Sequence, residues 1–239
     1  TIDSPFLTIQ SGIDISGSGD SVLVGPGTYN ESISYNGKQI VVMSTDGASS
    51  TFIHTTNTHV FFDNQEQSGA VLRGFTLSGN SDIGIDLAAS SSPTLQDLVI
   101  YNKNHAIYCY YDNNPTLINV TLSGNVIGFY ATAHSVHVTL INSILWYNSG
   151  VPILTATSSN SVTISNSNIQ GGELSIGGPG EIIWGEGNIT DNPLFCDIDS
   201  DDYTLAENST SIGMGSLGVG CDPFGDYNVN PLGDIVIVD

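Results

Sequence analysis

The stretch PTLINVTLSGN, Pro115 to Asn125, is preceded by PTLQDLVIYNK (Pro93 to Lys103) and followed by VTLINSILWYN (Val138 to Asn148). Aligned on this phrase, the chain reads LRGFTL from Leu72, LQDLVI from Leu95, LINVTL from Leu117, LINSIL from Leu140 and ISNSNI from Ile164, five copies at intervals of 22 to 24 residues. A period of this length marks a solenoid, in which each copy buries its apolar face only against its neighbours. The copies are short, β-branched and alternating, with Gly, Asn, Ser or Pro between them, and show no 3.6-residue periodicity. Leucine-rich and helical repeats are thereby excluded, and a β-helix of roughly eight coils remains.

In a β-helix each strand pairs with its equivalents about 4.8 Å above and below, so equivalent residues stack in columns. The third position of the phrase holds Gly74, Asp97, Asn119, Asn142 and Asn166. Such a column suits a corner that needs a left-handed residue, with side-chain amides laddering along the axis. It reads as architecture rather than as a ligand set. The first, fourth and sixth positions supply a buried column (Leu95, Leu98 and Ile100; Leu117, Val120 and Leu122). A second buried wall is expected from Ile85 and Leu87, Ile107 and Cys109, and Phe129 and Ala131. Alternation then turns Asp86, Tyr108, Tyr110 and Tyr130 outward.

The 239 residues are 39% hydrophobic, enough for a proper core, but only Lys38, Arg73 and Lys103 are basic against 24 acidic residues, a formal net charge of −21. Such a surface repels phosphate backbones and anionic membranes, so nucleic acid is excluded as a partner. No segment approaches the length of a membrane span and no charged-then-apolar leader is present, so membrane insertion is not expected. Carboxylates in excess with almost no lysine suit a secreted protein facing salt or calcium, and equally a surface that merely keeps the protein soluble. Cys196 and Cys221 share a Gly/Asp-rich terminal region and are expected to pair, leaving Cys109 as a small buried hydrophobe.

The segment SPFLTIQSGIDISGSGDSVLVGPGTYNESI, Ser4 to Ile33, followed by degenerate rungs, resembles the right-handed parallel β-helix repeat proteins of secreted bacterial origin, relatives of the pectate-lyase-like superfamily. The resemblance implies an all-β, right-handed parallel β-helix (β-solenoid) with a short N-terminal capping helix over Pro5 to Ile15 and a first full rung over Gly19 to Glu31. Asp191 to Ser216 is similar to the tail that ends many such domains. The expected organisation is an N-terminal cap over 1–18, coils over 19–190, and a C-terminal cap and tail strand over 191–239. The resemblance places the protein outside the cell, on a bacterial cell surface, but says little about activity, because the fold hosts lyases, hydrolases, adhesins and proteins without chemistry.

A polysaccharide lyase needs a base beside a uronate and a cation to neutralise its carboxylate. Lys103, His105, Tyr108 and Asp112 form the best local constellation, the competing reading being that NKNH is an exposed turn. The pairs His54/His59 and His134/His137 have odd separations, which on a strand point the rings to opposite faces. Among carboxylates, Asp63, Glu66, Asp82, Asp86 and Asp97 could meet across coils as in a hydrolase. Asp197, Asp199, Asp201 and Asp202 offer oxygens to a hard cation, calcium being the expected cofactor, against a solvated turn. Tyr108, Tyr110, Tyr130, Trp146 and Tyr147 could stack on the rings of an extracellular polysaccharide or on one another.

Related domains generally carry a strand ahead of the capping helix, where only Thr1 to Asp3 stand here, and the chain closes on DIVIVD. Ile235, Val236, Ile237 and Val238 are therefore expected to act in assembly, filling that vacancy in the next subunit to give a homo-oligomeric, head-to-tail filament. Scarce bases favour a non-catalytic structural or adhesive module, the alternative being a calcium-assisted polysaccharide lyase or glycoside hydrolase.

Overall fold

A computed structural model describes residues 5–224. Three parallel sheets run the length of a right-handed solenoid of about seven turns. Sheet A has eight strands, from Ser21–Val24 to Glu181–Trp184; sheet B seven, from Gly27–Tyr29 to Asn168–Ile169; sheet C six, from Ile33–Ser34 to Val151–Thr155. The seven turns correct the eight coils expected, because residues 191–224 leave the helical path.

The register is the one that the repeated phrase demands. Leu72, Leu95, Leu117, Leu140 and Ile164 pair in sequence across sheet A, and Leu77, Ile100, Leu122, Leu145 and Ile169 across sheet B. Ile85, Ile107, Phe129 and Ile153 close the interior from sheet C. All fourteen are at most 2% exposed. Stacking like on like gives a single continuous core, and each fully buried aliphatic side chain contributes about 1.5–3 kcal/mol.

Left-handed backbone recurs at all three corners of the coil, including the return from sheet C to sheet A at Gln65, Ala89, Asp112 and Ser135. Between sheets A and B, Gly74, Asp97, Asn119, Asn142 and Asn166 have φ of 79°, 53°, 54°, 52° and 48°. The Asn119 amide donates to the Asp97 carboxylate at 2.9 Å. Behind this column, hydroxyls cap the next backbone: Val120 N–H donates to Ser143 Oγ at 3.1 Å and Ser143 N–H to Ser167 Oγ at 3.0 Å. Between sheets B and C stands a second column, Gly79, Asn102, Gly124, Tyr147 and Gly171, with φ of 91°, 57°, 67°, 57° and 76°.

The capping helix α1 spans Ile9–Ile15, shorter than expected because Thr8 is its N-cap, accepting from Ser11 N–H at 3.2 Å. Ile9, Gly12 and Ile13 face the open end of the core. Glu31 clamps one end of α1, accepting from Ile9 and Gln10 N–H at 2.7 and 3.0 Å, and Lys38 the other, donating to the Ile13 and Asp14 carbonyls at 2.7 and 2.8 Å. Both charges have the sign that the helix dipole favours.

Residues 191–224 fold along the flank of sheet B rather than over the end of the solenoid. Phe195, Tyr203 and Leu205 form a second core with Val99, Tyr101, Ile144 and Trp146, and Gly215 N–H donates to the Asn142 carbonyl at 2.6 Å. Cys196 and Cys221 form a disulfide that closes this segment, and Cys109 is buried and free.

The corner column can be tested at Asn142. Asn142→Gly is expected to change the denaturation midpoint little, whereas Asn142→Val, forcing a β-branched residue to φ near 52°, should cost about 1–3 kcal/mol. Equal stability of the two variants would refute the account of the corner.

Candidate functional site

Sheet C presents an outer face built from two columns. Phe61, Asp86, Tyr108, Tyr130 and Leu154 succeed one another in register, flanked by Ile83, His105, Ile127 and Val151. Tyr110 follows one step further along its coil. The face is therefore graded along the axis: acidic at Asp63, Asp82 and Asp86, aromatic through the middle, aliphatic at Ile127, Val151 and Leu154.

The aromatic part is continuous. Tyr108 stands edge-on to Tyr110 and Tyr130 with ring centroids 5.0 and 5.5 Å apart, and His105 stacks on Tyr130 at 5.4 Å. Tyr111 and His134 extend the row through contacts of 6.2 and 6.4 Å. Edge-to-face pairs of this geometry contribute about 0.5–1.5 kcal/mol each beyond area burial, and they fix the rings. The Tyr108 hydroxyl is pushed up to about 12, first by its hydrogen bond with Tyr110 and then by burial.

Two polar atoms under this face are buried without a partner, Asp86 Oδ1 and His105 Nδ1. Burial raises the Asp86 carboxyl above the usual range, and the negative charge of Asp63 raises it further. Burial lowers the His105 imidazole below its ordinary value, against the opposing charge of Asp82.

Of the four residues expected to form a catalytic constellation, only His105 and Tyr108 meet, at 5.2 Å between ring centroids. Lys103 and His105 lie in the strand Lys103–Cys109, so the exposed-turn reading of NKNH is corrected. Lys103 is 3% exposed and donates to the Gly79 carbonyl beneath the B–C corner. It occupies the place that Asn125 and Asn148 hold in later coils, where their amides donate to the Ile100 and Leu122 carbonyls at 3.0 Å. Burial pulls the ammonium down to about 8. Asp112 sits in the next turn at φ 54°, exposed. Trp146 is 8% exposed in the second core, not an outward platform, and the Tyr147 hydroxyl reaches Asn192 Oδ1 at 3.5 Å.

The remaining carboxylates have individual partners. Glu66 is fully buried and accepts from Gly37 N–H, Asn64 N–H and Ser91 Oγ at 2.8–2.9 Å. Asp97 pairs with Arg73 at 2.8 Å on the side of sheet A. In the DIDSDD run, Asp197 caps its own turn through Ser200, Asp202 accepts from Thr204 N–H at 2.9 Å, Asp201 lines a pocket with Tyr101, and Asp199 is exposed. No cluster of three or more metal-ligating side chains occurs among the described residues. Ile235 to Val238 lie outside the described residues.

A turn does bring His54 and His59 to one place, contrary to the extended-strand reading. His54 Nδ1 lies 3.0 Å from Ser78 Oγ, and His59 Nε2 donates to the Ser78 carbonyl at 2.5 Å. Burial pulls His59 down to about 4, with the charge of Lys103 acting in the same direction. The folded state keeps His59 neutral while the unfolded chain takes up a proton near 6.5, so stability is lost as pH falls from 6.5 towards 4. The loss at full development is about 3 kcal/mol. Comparing His59→Gln with the wild type by denaturation at neutral and mildly acidic pH should show the variant losing less; parallel curves would contradict a neutral His59.

The model of the right-handed β-helix region matches residues 6–145 and 58–210. The chain belongs to this right-handed β-helix family. A search of curated proteins found no match.

Proposed function

We propose that the protein is an extracellular, non-catalytic β-solenoid of structural or adhesive role that engages a polysaccharide through the outer face of sheet C. The observation that carries this reading is the continuous row of His105, Tyr108, Tyr110 and Tyr130. Aromatic faces bind the C–H surfaces of pyranose rings, and rings already fixed by their neighbours lose little freedom on binding. The disulfide agrees with an oxidising location.

Retardation of the protein in gels containing soluble polysaccharides tests it. Tyr108→Ala and Tyr130→Ala should each weaken affinity about tenfold, and no retardation by any polysaccharide would defeat the reading. The enzymatic alternative would replace it if the wild type, but not His105→Ala, released reducing ends or unsaturated uronate.

Self-association belongs to the same reading. The strand Ser21–Val24 pairs on one side only among the described residues. Beside it runs a groove of about 470 Å³ lined by Ile9, Ile15, Val22, Leu23 and Tyr29. An extended apolar segment such as Ile235 to Val238 of a second copy has the chemistry to add there. Deleting Ile235 to Asp239 should leave a folded monomer in sedimentation, while the full chain forms larger species; unchanged assembly after deletion would remove this part.

A further inference from the structure

We propose that the polysaccharide engaged by sheet C is cationic, an amino-sugar polymer whose ammonium groups meet Asp63 and Asp86 while its ring faces lie on Tyr108, Tyr110 and Tyr130. The inference rests on the glycan-binding reading above and adds the ligand's charge.

The argument starts from what the face lacks. Asp86 opposes Tyr108 in register, has one carboxylate oxygen buried without a partner, and lies within the negative field of Asp63. A buried, unpartnered carboxylate oxygen beside a second carboxylate is costly unless a cation reaches it. The chain has only three Lys or Arg. Lys38 is spent on the end of α1, Arg73 on Asp97, and Lys103 on the Gly79 carbonyl. The neighbouring His105 is disfavoured as a cation by burial and has its own Nδ1 buried without a partner. No cation of the described residues therefore compensates Asp86.

The same reasoning sorts the candidates. A uronate polymer would bring further negative charge to a chain of net charge −21 and is repelled. A neutral polymer would satisfy the rings and leave Asp86 unpaired. A metal ion would use the carboxylates without the tyrosines, and no three-residue ligand cluster occurs here among the described residues. An amino sugar uses both halves of the face: the ammonium forms a charge-assisted hydrogen bond, and its charge is also attracted to a tyrosine ring.

Calorimetric titration of the full chain with four probes, oligomers of glucosamine, of N-acetylglucosamine, of glucose and of galacturonate, decides the matter. The glucosamine oligomer is expected to bind at least about tenfold tighter than its N-acetylated counterpart, and Asp86→Asn or the exposed Asp63→Asn to remove that preference. Tyr108→Ala should weaken the glucosamine and N-acetylglucosamine oligomers alike. Glu181→Gln on sheet A and Glu207→Gln in the segment beside sheet B, both exposed, should leave affinity unchanged; a loss equal to that of Asp86→Asn would mean diffuse attraction and overturn the proposal. Preference for a neutral or uronate oligomer would overturn it too while leaving the glycan-binding reading standing, and binding of none of the four would overturn both.

Discussion

Everything in this molecule depends on the corners. A coil of 22 to 24 residues can return to its starting direction only if single residues reverse the chain, and between sheets A and B and between B and C those residues have positive φ. A side chain at such a position must tolerate the left-handed region and must also tolerate its own equivalents one coil away. Asn and Gly satisfy both demands: Gly has no Cβ to clash, Asn tolerates the left-handed region, and Asn119 in addition donates to Asp97 of the neighbouring coil. Once the corners hold, the register of all three sheets is fixed and the interior fills by stacking like upon like.

That logic explains what could be read from the residues and what could not. The A–B corner is legible because its column is written in one chemical alphabet, Asp97, Asn119, Asn142 and Asn166. The B–C corner is hidden because Asn102, Gly124 and Tyr147 share a conformation and no chemistry; only the structure reveals that Tyr147 stands where glycines stand. Lys103 is misread for a related reason. A lysine among polar residues looks exposed, yet its position in the column is that of Asn125 and Asn148, so its amine does the work of a corner amide. The outward turn of Asp86, Tyr108 and Tyr130 is legible from alternation alone. The burial of Trp146 is not, since it depends on where residues 191–224 return, and no local pattern encodes a contact between segments that far apart.

Electrostatics follows from the same geometry. In a solenoid a charge on one coil is repeated close by on the next unless the sequence changes, and a chain with 24 acidic residues risks a ladder of mutual repulsion. The molecule avoids it mostly by giving carboxylates separate tasks: Glu31 at the start of α1, Glu66 inside a turn with three donors, Asp97 against Arg73. Thr94, Thr116, Thr139 and Thr163 stack in register on the outside of sheet A, where a charged column would repel itself.

Sheet C is where this economy lapses. Sheet B is covered by the chain's own tail and sheet A carries neutral stacks, but the outer face of sheet C keeps Asp63 and Asp86 near each other, leaves buried atoms of Asp86 and His105 unpartnered, and sets a row of tyrosines beside them. None of these features helps the solenoid close, since the inward residues of the same strands, Ile85, Ile107, Phe129 and Ile153, already supply the core. Natural sequences depart from local consistency chiefly where a site requires it. Six buried side-chain atoms lack a partner among the described residues, and two of them, on Asp86 and His105, share this face beside rings that pack edge to face on one another. On the reading proposed above, an external group would supply the missing cation and cover the rings.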